Sequence, residues 1–584
     1  MATSLIDADS LLAIDIGTVN TRAVLFDAVG GAYRFLAMGT SPTTMGAPLY
    51  DVSEGVRRAI SEVQRITGRT LFDTSDQLAI PSSSDGMGVD MVAAVLSGAK
   101  PLRVVAVGLL EDVSLESAKR LALTTYADVV ATVSLNDRRK LEKRLDVIMG
   151  AQPQVVVIAG GTENGASKSL MQLLDAVGVS AYLMPENMRP AVLFAGNQAV
   201  TEEVQSSLDT YVDLQIAPNI RPSLEQMQLE PAAHVLYDLY RDVHAKNSPG
   251  LQEVVDWTGG FMRPAATGFG RIVKYFSNFY KSTKGVLGVD IGAGATTIAS
   301  AFKGELQLSV YSQLGMGGPI QNLLKISPTE NIARWLPYTT SPDEIQSYLY
   351  QKSIYPASIP ATTEELQMEH AIATEIMRVT LRAAQKHFPA TAKSARPGLY
   401  PWLDPVLVTG SVLSNAPSAG QVLMMLLNGL DTTGITNFVL DHNNLLPVLG
   451  VTSEMNPVMT VQVIESDALM KLATVIVPVG SARDGSTVLR VRVQTANGGE
   501  QKVEVTQGEI VRIPLRLGQT ASVHVQPLQR MDIGMGPGRS SKIEGVTGSA
   551  LGIVIDARGR PLQFSLKTPR RVQKLSQWMA RLGG

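Results

Sequence analysis

Two stretches far apart in this chain repeat the same order of an apolar strand, a glycine turn and a threonine. The stretches are LLAIDIGTVNTRAVLF at 11–26 and VLGVDIGAGATTIASAF at 286–302. Over positions 12–21 and 287–296, five of the ten residues are identical. The separation far exceeds the period of about 50 residues found in solenoid repeats. It predicts two similar halves within one molecule.

In both copies the glycine turn leads into a second strand, which predicts a β-hairpin. A P-loop or Rossmann glycine loop must instead open into a helix, and neither copy contains the G-x-x-x-x-G-K-[ST] pattern. Taken singly, Asp-x-Gly at a strand end is an ordinary turn, because Asp and Gly favour turns for local reasons. The repetition, with Thr at the same offset, favours a functional pair.

Composition narrows the classes of protein. The formal net charge of −2 over 584 residues argues against binding nucleic acid mainly through phosphate contacts. The absence of cysteine excludes disulfides, iron–sulfur clusters, Cys-ligated zinc and thiolate catalysis. The acidic N-terminus does not resemble a signal peptide and no stretch is apolar enough for a membrane span, so we expect a soluble, cytoplasmic protein.

Strands alternate with helices through most of the chain, which predicts an α/β fold with sheets covered by helices. After about residue 472 the pattern changes to strands of period two separated by Asp-Gly and Gly-Gly turns, which predicts an all-β domain, sandwich or small barrel. The last stretch is basic and amphipathic. It is expected to be a solvated terminal helix, with peripheral contact to a membrane surface or a partner as the alternative. The expected units are 1–280 (first half with an α/β insertion), 281–471 (second half), 472–566 (all-β domain) and 567–584 (basic tail).

Two facing glycine hairpins can present backbone N–H groups to the phosphates of one nucleotide. Asp15 and Asp290, one at the end of each first strand, suit Mg²⁺, which takes one or two carboxylates and keeps several waters. Asp85, in PSSSDGMG, is a weak candidate to orient an attacking water, and a plain connecting turn is an equal alternative. GGTENG at 160–165 fits either the lining of the same cleft or a helix cap.

The hairpins resemble the phosphate-1 and phosphate-2 loops of the actin, sugar-kinase and heat-shock-chaperone ATPase superfamily, and VLVTGSVLS at 406–414 resembles its adenosine motif. This resemblance implies duplicated actin-like (ribonuclease-H-like) domains closing on Mg-ATP. By the same resemblance, the nucleotide-binding residues are Asp15, Gly17, Thr18, Asn20, Thr21, Asp290, Gly292, Ala293, Gly294, Thr296, Gly410 and Ser411. Mg²⁺ is implied at Asp15 and Asp290, through water.

The order of segments is similar to that of the glutamate mutase accessory (GlmL or MutL) family, which is unrelated to the mismatch-repair protein of the same name. The matching stretches lie between residues 10 and 455 and include PSSSDGMGVDMVAAVLSG, VVVIAGGTENGASKSL, APNIRPSLEQMQLEPA and LDHNNLLPVLG. The resemblance implies an ATP-binding, chaperone-like accessory protein that reactivates or protects an adenosylcobalamin-dependent mutase.

Ile298 stands where the family motif has an acid, so both slow hydrolysis and binding without turnover remain open. A second function is a non-enzymatic actin-like scaffold that binds ATP and docks through its β domain and basic tail. A small-molecule kinase ranks last, because it needs a carboxylate base and only Asp85 is a candidate.

Overall fold

The computed structural model describes residues 9–83, 86–165, 167–280, 283–564 and 568–584. The chain begins with an antiparallel meander of three strands, and a helix connects it to a fourth strand that runs parallel to the first. Asp51 starts this helix by accepting a hydrogen bond from the Ser53 N–H, and Gly68 ends it. The elements are β1 (Leu11–Ile16), β2 (Asn20–Val29), β3 (Ala32–Pro42), α1 (Val52–Thr67) and β4 (Met91–Leu96).

An α/β insertion follows and forms its own parallel sheet in the order β6-β5-β7-β8-β9. Its central strands are continuous apolar runs, as expected for a sheet covered on both faces. A π-helical turn at Glu111–Leu115 follows the first strand. The elements are β5 (Leu102–Gly108), α2 (Glu116–Ala122), β6 (Ala127–Ser134), α3 (Leu141–Ala151), β7 (Val155–Ala159), α4 (Ser167–Leu183), β8 (Ala191–Phe194), α5 (Thr201–Leu208) and β9 (Leu214–Ile216).

The chain then returns to the first half and completes its sheet in the order β10-β4-β1-β2-β3. The returning elements are α6 (Glu230–Asn247), α7 (Leu251–Trp257), β10 (Met262–Pro264) and α8 (Ala265–Tyr280).

The second half repeats the meander and the parallel fourth strand. Its elements are β11 (Gly285–Ile291), β12 (Thr296–Phe302), β13 (Glu305–Tyr311), α9 (Thr329–Ala333), α10 (Pro342–Ile354), α11 (Thr363–Gln385), β14 (Leu403–Thr409), α12 (Ser411–Ser414), α13 (Ala419–Gly429), β15 (Gly434–Leu440), α14 (Leu446–Thr452), α15 (Pro457–Glu465) and β16 (Met470–Val477).

The two first hairpins have the same register. Asp15 lies opposite Arg22, and Asp290 lies opposite Thr297. Between the halves, α8 crosses α14, and each helix also packs against the sheet of the other half. The predicted α/β fold with duplicated actin-like halves is confirmed by this topology.

The strand-rich C-terminal region forms two sheets. Its elements are β17 (Thr487–Thr495), β18 (Glu500–Thr506), β19 (Ile510–Ile513), β20 (Thr520–Pro527), β21 (Ser541–Thr547) and β22 (Ile553–Asp556). A four-stranded sheet has the order β18-β17-β20-β21, whereas β16, β22 and β19 extend the second half to eight strands. The boundary expected at residue 472 therefore falls inside β16. Period-two alternation marks which face of a strand is buried, but it does not say which sheet the strand joins.

The C-terminal helix α16 (Thr568–Leu582) packs on α13 and β19. Its apolar residues Leu575, Trp578 and Leu582 are buried there, and the Trp578 Nε1–H donates to the Gly508 carbonyl oxygen (2.9 Å). The expectation of a solvated helix was wrong, because the apolar face is covered by the chain itself. Lys567 lies outside the described residues.

The sequence of residues 363–388 has the apolar period of a helix and predicts that Glu369 faces water. In α11, however, Glu369 is buried and forms an ion pair with Lys352 (2.5 Å). The Tyr348 hydroxyl also donates to this carboxylate (3.1 Å).

Among the helices in the described ranges, none is long and apolar enough to cross a membrane.

Candidate functional site: the cleft between the two hairpins

Each glycine hairpin closes with one short backbone bond. The Gly17 N–H donates to the Asn20 carbonyl oxygen (3.0 Å), and the Gly292 N–H donates to the Ala295 carbonyl oxygen (2.9 Å). The same turn geometry therefore ends both strands that carry the aspartates.

The two turns meet across the cleft at Thr18 and Gly294. A Cβ built on Gly294 would lie only 2.4 Å from the Thr18 Oγ1. A side chain at position 294 would therefore have to displace Thr18. Because Gly294 has no side chain, the two loops can approach each other closely.

Ten of the twelve residues implied for nucleotide binding line this one cleft. The cleft has an internal volume of about 80 Å³, which is room for a few waters or one phosphate group. The ten residues are Asp15, Gly17, Thr18, Asn20, Asp290, Gly292, Ala293, Gly294, Gly410 and Ser411.

The other two, Thr21 and Thr296, do not line the cleft. Both are fully buried within the hairpins, and the Thr21 hydroxyl is hydrogen-bonded to the Thr43 hydroxyl (3.0 Å). Side chains alternate along a strand, so Thr21 lies on the face opposite Arg22, and Thr296 opposite Thr297. Asp85 lies outside the described residues.

Arg22 is a cleft residue that the sequence analysis did not single out. Its Nη1 donates to the Asp15 Oδ2 at 3.0 Å, and only 14% of its side chain is exposed. Burial raises the pKa of Asp15, and the charge of Arg22 and its hydrogen bond partly offset that rise. The first hairpin therefore presents an ion pair to the cleft.

The second hairpin presents an aspartate that forms no ion pair with any residue that the structure describes. The cross-strand neighbour of Asp290 is Thr297, which carries no charge. Burial, and then the negative charges of Asp15 and Asp441, raise the pKa of Asp290 to about 7. The two aspartates have matching positions, but only Asp15 has an arginine that offsets part of the rise in its pKa through a direct hydrogen bond.

This difference predicts a pH-dependent stability of the metal-free protein. The pKa of Asp290 is raised from 3.8 to about 7 on folding, so its protonation stabilises the folded state fully below pH 3.8. That stabilisation is lost as the pH rises towards 7. Because Asp290 borders the open cleft, we expect a loss on the order of 1–2 kcal/mol.

Urea unfolding in EDTA at pH 5 and pH 8 measures the effect. Raising the pH should lower the free energy of unfolding less in Asp290→Asn than in wild type. The exposed Asp209→Asn should show the same pH dependence as wild type. An equal pH dependence in Asp290→Asn and wild type would contradict the assignment.

The third wall comes from the end of β14. Gly410 has φ of +107°, and a Cβ there would lie 2.3 Å from the Ile291 carbonyl oxygen, so only glycine fits. The Asn444 Oδ1 accepts hydrogen bonds from the Gly410 N–H and the Thr409 hydroxyl, both at 3.1 Å. These bonds fix the turn that Ser411 follows.

Asp441 stabilises the loop behind this wall. It is fully buried, and its carboxylate accepts the N–H groups of Leu445 (2.9 Å) and Leu446 (2.7 Å). Burial raises its pKa despite these bonds. Asp441 therefore positions the loop that carries Asn444 and adds negative charge near Asp290.

The α/β insertion contributes Tyr126 to the cleft. Burial, followed by the charges of Asp290, Tyr240 and Asp15, raises the pKa of Tyr126 well above its usual value. Its hydroxyl therefore stays protonated and can donate a hydrogen bond.

Of these added residues, only Arg22 had a usable sequence signal. Period-two alternation from Asn20 places Arg22 on the cleft face, directly opposite Asp15. Asn444 and Tyr126 reach the cleft through long-range packing, which a single sequence does not reveal.

A metal ion has few protein ligands available here. Within the described ranges, no group of three or more His, Cys, Asp or Glu side chains is placed to hold one. Asp15 and Asp290 on the cleft walls are consistent with Mg²⁺, which binds through one or two carboxylates, waters and phosphate oxygens.

Comparison with known proteins assigns the chain. The family model described as MutL protein matches residues 11–468. The chain belongs to the MutL family. The Protein MutL of Clostridium tetanomorphum is 21% identical to it over 474 residues, covering 74% of this chain and 98% of that one.

Solved structures are also similar to this MutL family member. The ethanolamine utilization protein EutJ from Carboxydothermus hydrogenoformans is 11% identical, covers 76% of this chain and 90% of its own, and has a TM-score of 0.27. A diol dehydratase-reactivating factor is 10% identical, covers 78% and 99%, and has a TM-score of 0.28.

Proposed function

We propose that this MutL family member binds Mg-ATP between its two halves and uses the nucleotide to act on a protein partner. The observation that carries the proposal is the pair of facing hairpins. They combine backbone N–H groups, an arginine and two carboxylates in one cleft, and these are the groups that phosphates and a hydrated Mg²⁺ need.

Each wall of the cleft has a separate role in this proposal. The turns at Gly17 and Gly292 offer N–H groups to phosphate oxygens, and Arg22 adds a charged donor. The turn at Gly410 leaves the space for the adenosine. When ATP is bound, its negative phosphates would neutralise the charge of Arg22. Mg²⁺, a hard cation, would neutralise the charge of the carboxylates.

The cleft is open to solvent, and both hairpins line it. A nucleotide that contacts both halves favours one separation of the halves over another. A nucleotide that changes this equilibrium can bias the surface presented to a partner.

For the partner we propose an adenosylcobalamin-dependent mutase that the protein reactivates or protects, in the cytoplasm. The names of similar proteins support an accessory role: one is a MutL protein and another is a reactivating factor of a diol dehydratase. The alternative, a scaffold docked through the basic tail, loses support because α16 buries its apolar face within the chain. Ile298, at the position of the family's acid, is buried in the core of the second half and is not among the residues that line the cleft.

Isothermal titration with ATP, with and without Mg²⁺, tests the nucleotide site. We expect Mg²⁺ to tighten ATP binding, and Asp290→Asn to weaken Mg-ATP binding about tenfold, since a charge-assisted contact contributes about 1.5 kcal/mol. Exposed Asp209→Asn is the control. No ATP binding, or equal affinity in all three proteins, would refute the site.

The same proteins test the partner. The mutase of the source organism should be retained on immobilised wild type to a different extent with and without Mg-ATP, and Asp290→Asn should reduce that difference. Retention that is independent of nucleotide would contradict the proposed coupling, even where ATP binds.

A further inference from the structure

A second cavity lies in the α/β insertion, away from the nucleotide cleft. It encloses about 380 Å³ and is bordered by Leu109, Leu135 and Gly161, which follow β5, β6 and β7. GGTENG at 160–165 therefore contributes to this cavity and not to the cleft between the hairpins.

The cavity lies where the insertion's strand order reverses. From β5 the chain goes to β6 on one side, then crosses to β7 on the other side and continues to β8 and β9. In open parallel sheets, ligands bind outside the carboxyl ends of the strands at this reversal. The π-helical turn Glu111–Leu115 follows β5 here, and such turns are frequent at functional sites.

Most of the cavity wall is apolar. Leu110 and Leu224 border the cavity although they are 50% and 56% exposed. Large apolar side chains left open to water beside a cavity can contact the apolar body of a ligand.

Arg221 is the charged side chain on the wall. Its Nε is buried and has no hydrogen-bond partner among the described residues. An unpartnered buried donor is costly, and an anion in the cavity would satisfy it. Arg120 on α2 lies near enough for its positive charge to repel that of Arg221, while the negative charge of Glu116 acts on Arg120 more strongly.

Asn219 fixes the backbone at Arg221. This buried amide donates to the carbonyl oxygen of Gly161 (3.0 Å) and to the Glu163 Oε1 (2.7 Å), and its Oδ1 accepts the backbone N–H of Arg221 (2.9 Å). The segment that carries the arginine is therefore tied to the loop after β7, beside the apolar wall.

We propose that this cavity binds a small organic acid, with its apolar body against the leucines and its carboxylate on Arg221. The volume lies within the range of about 300–1,000 Å³ typical of small-molecule sites. The site is separate from ATP binding and does not depend on it.

Titration of the full chain with octanoate and with 1-octanol, which differ mainly in charge, tests the proposal. Wild type should bind octanoate at least tenfold more tightly than 1-octanol. Arg221→Met should remove that preference while 1-octanol affinity changes less than twofold. Arg221→Lys keeps the charge and should retain most of the preference.

Lys143→Gln, which removes an exposed charge from the same insertion, should bind as wild type. Equal affinity of wild type for octanoate and 1-octanol, or an unchanged preference in Arg221→Met, would overturn the proposal. Inorganic phosphate binding as tightly as octanoate would also overturn it, because the apolar body would then contribute nothing. ATP binding measured on the same variants should not change.

Discussion

Arg22→Met is expected to weaken Mg-ATP binding about 100-fold while leaving the affinity for adenosine within threefold. The guanidinium is the cation next to the proposed phosphate position, and a charged hydrogen bond contributes about 1.5–3 kcal/mol. Its removal also leaves the buried Asp15 carboxylate without its hydrogen-bond partner. Titration calorimetry with ATP, AMP and adenosine measures the effect.

Arg22→Lys provides the matched control for charge. Lysine cannot reproduce the planar fork of donors, so we expect a loss of about tenfold. An ATP affinity of Arg22→Met within threefold of wild type would show that the arginine serves only the ion pair with Asp15. A parallel loss of adenosine affinity would instead indicate a disturbed cleft.

Asp556→Ala is expected to destabilise the protein by about 3–5 kcal/mol, because it leaves the buried Arg558 without a carboxylate and removes one of the two carboxylates that Arg560 contacts. The Asp556 carboxylate is fully buried and accepts from Arg558 (Nε, 2.8 Å) and from Arg560 (Nη2, 2.7 Å). The second arginine also pairs with Asp431 (2.9 Å). The sequence DARGRPL at 556–562 predicts a hairpin or loop whose two arginines meet an acidic partner, but both arginines contact acidic residues of their own chain.

Urea unfolding at pH 7 measures this loss, with Glu504→Ala as control. Glu504 forms an ion pair with Arg490 in which both side chains are more than half exposed, and such pairs contribute at most about 1 kcal/mol. Equal losses in the two variants would show that the buried network does not stabilise the fold.

The contribution of Asp556 to stability should change with pH in a defined direction. Burial raises its pKa, but the charges and hydrogen bonds of Arg558 and Arg560 outweigh burial and hold the pKa well below the usual value of 3.8. Its contribution to stability is therefore present above pH 3.8 and is lost only as the pH falls further.

The sequence predicted the hairpins because their signal is local and occurs twice. Asp15 and Asp290 end apolar strands, glycine follows each, and the structure places both on the walls of one cleft. Thr21 and Thr296 do not line the cleft, and strand alternation already places them on the other face. Using that alternation would also have selected Arg22.

Long-range partners were beyond the sequence. The sequence predicts β19 as one of the alternating C-terminal strands, but it pairs with β22 in the large sheet, and its own sequence does not specify that partner. Glu369 was placed in water for a related reason. Its burial depends on Lys352, a residue of another helix.

Two hydrogen bonds join the base of the α/β insertion to the second half. The Ser312 hydroxyl donates to the Ala127 carbonyl oxygen (2.7 Å) and the Val310 N–H donates to the Leu123 carbonyl oxygen (2.8 Å), which ties the insertion to the second half. Yet the insertion is covalently part of the first half. Any widening of the cleft must therefore break these two bonds or rotate the insertion against its parent sheet. A small rotation of the insertion at its junction with the first half would then produce a larger displacement at the far edge of the insertion.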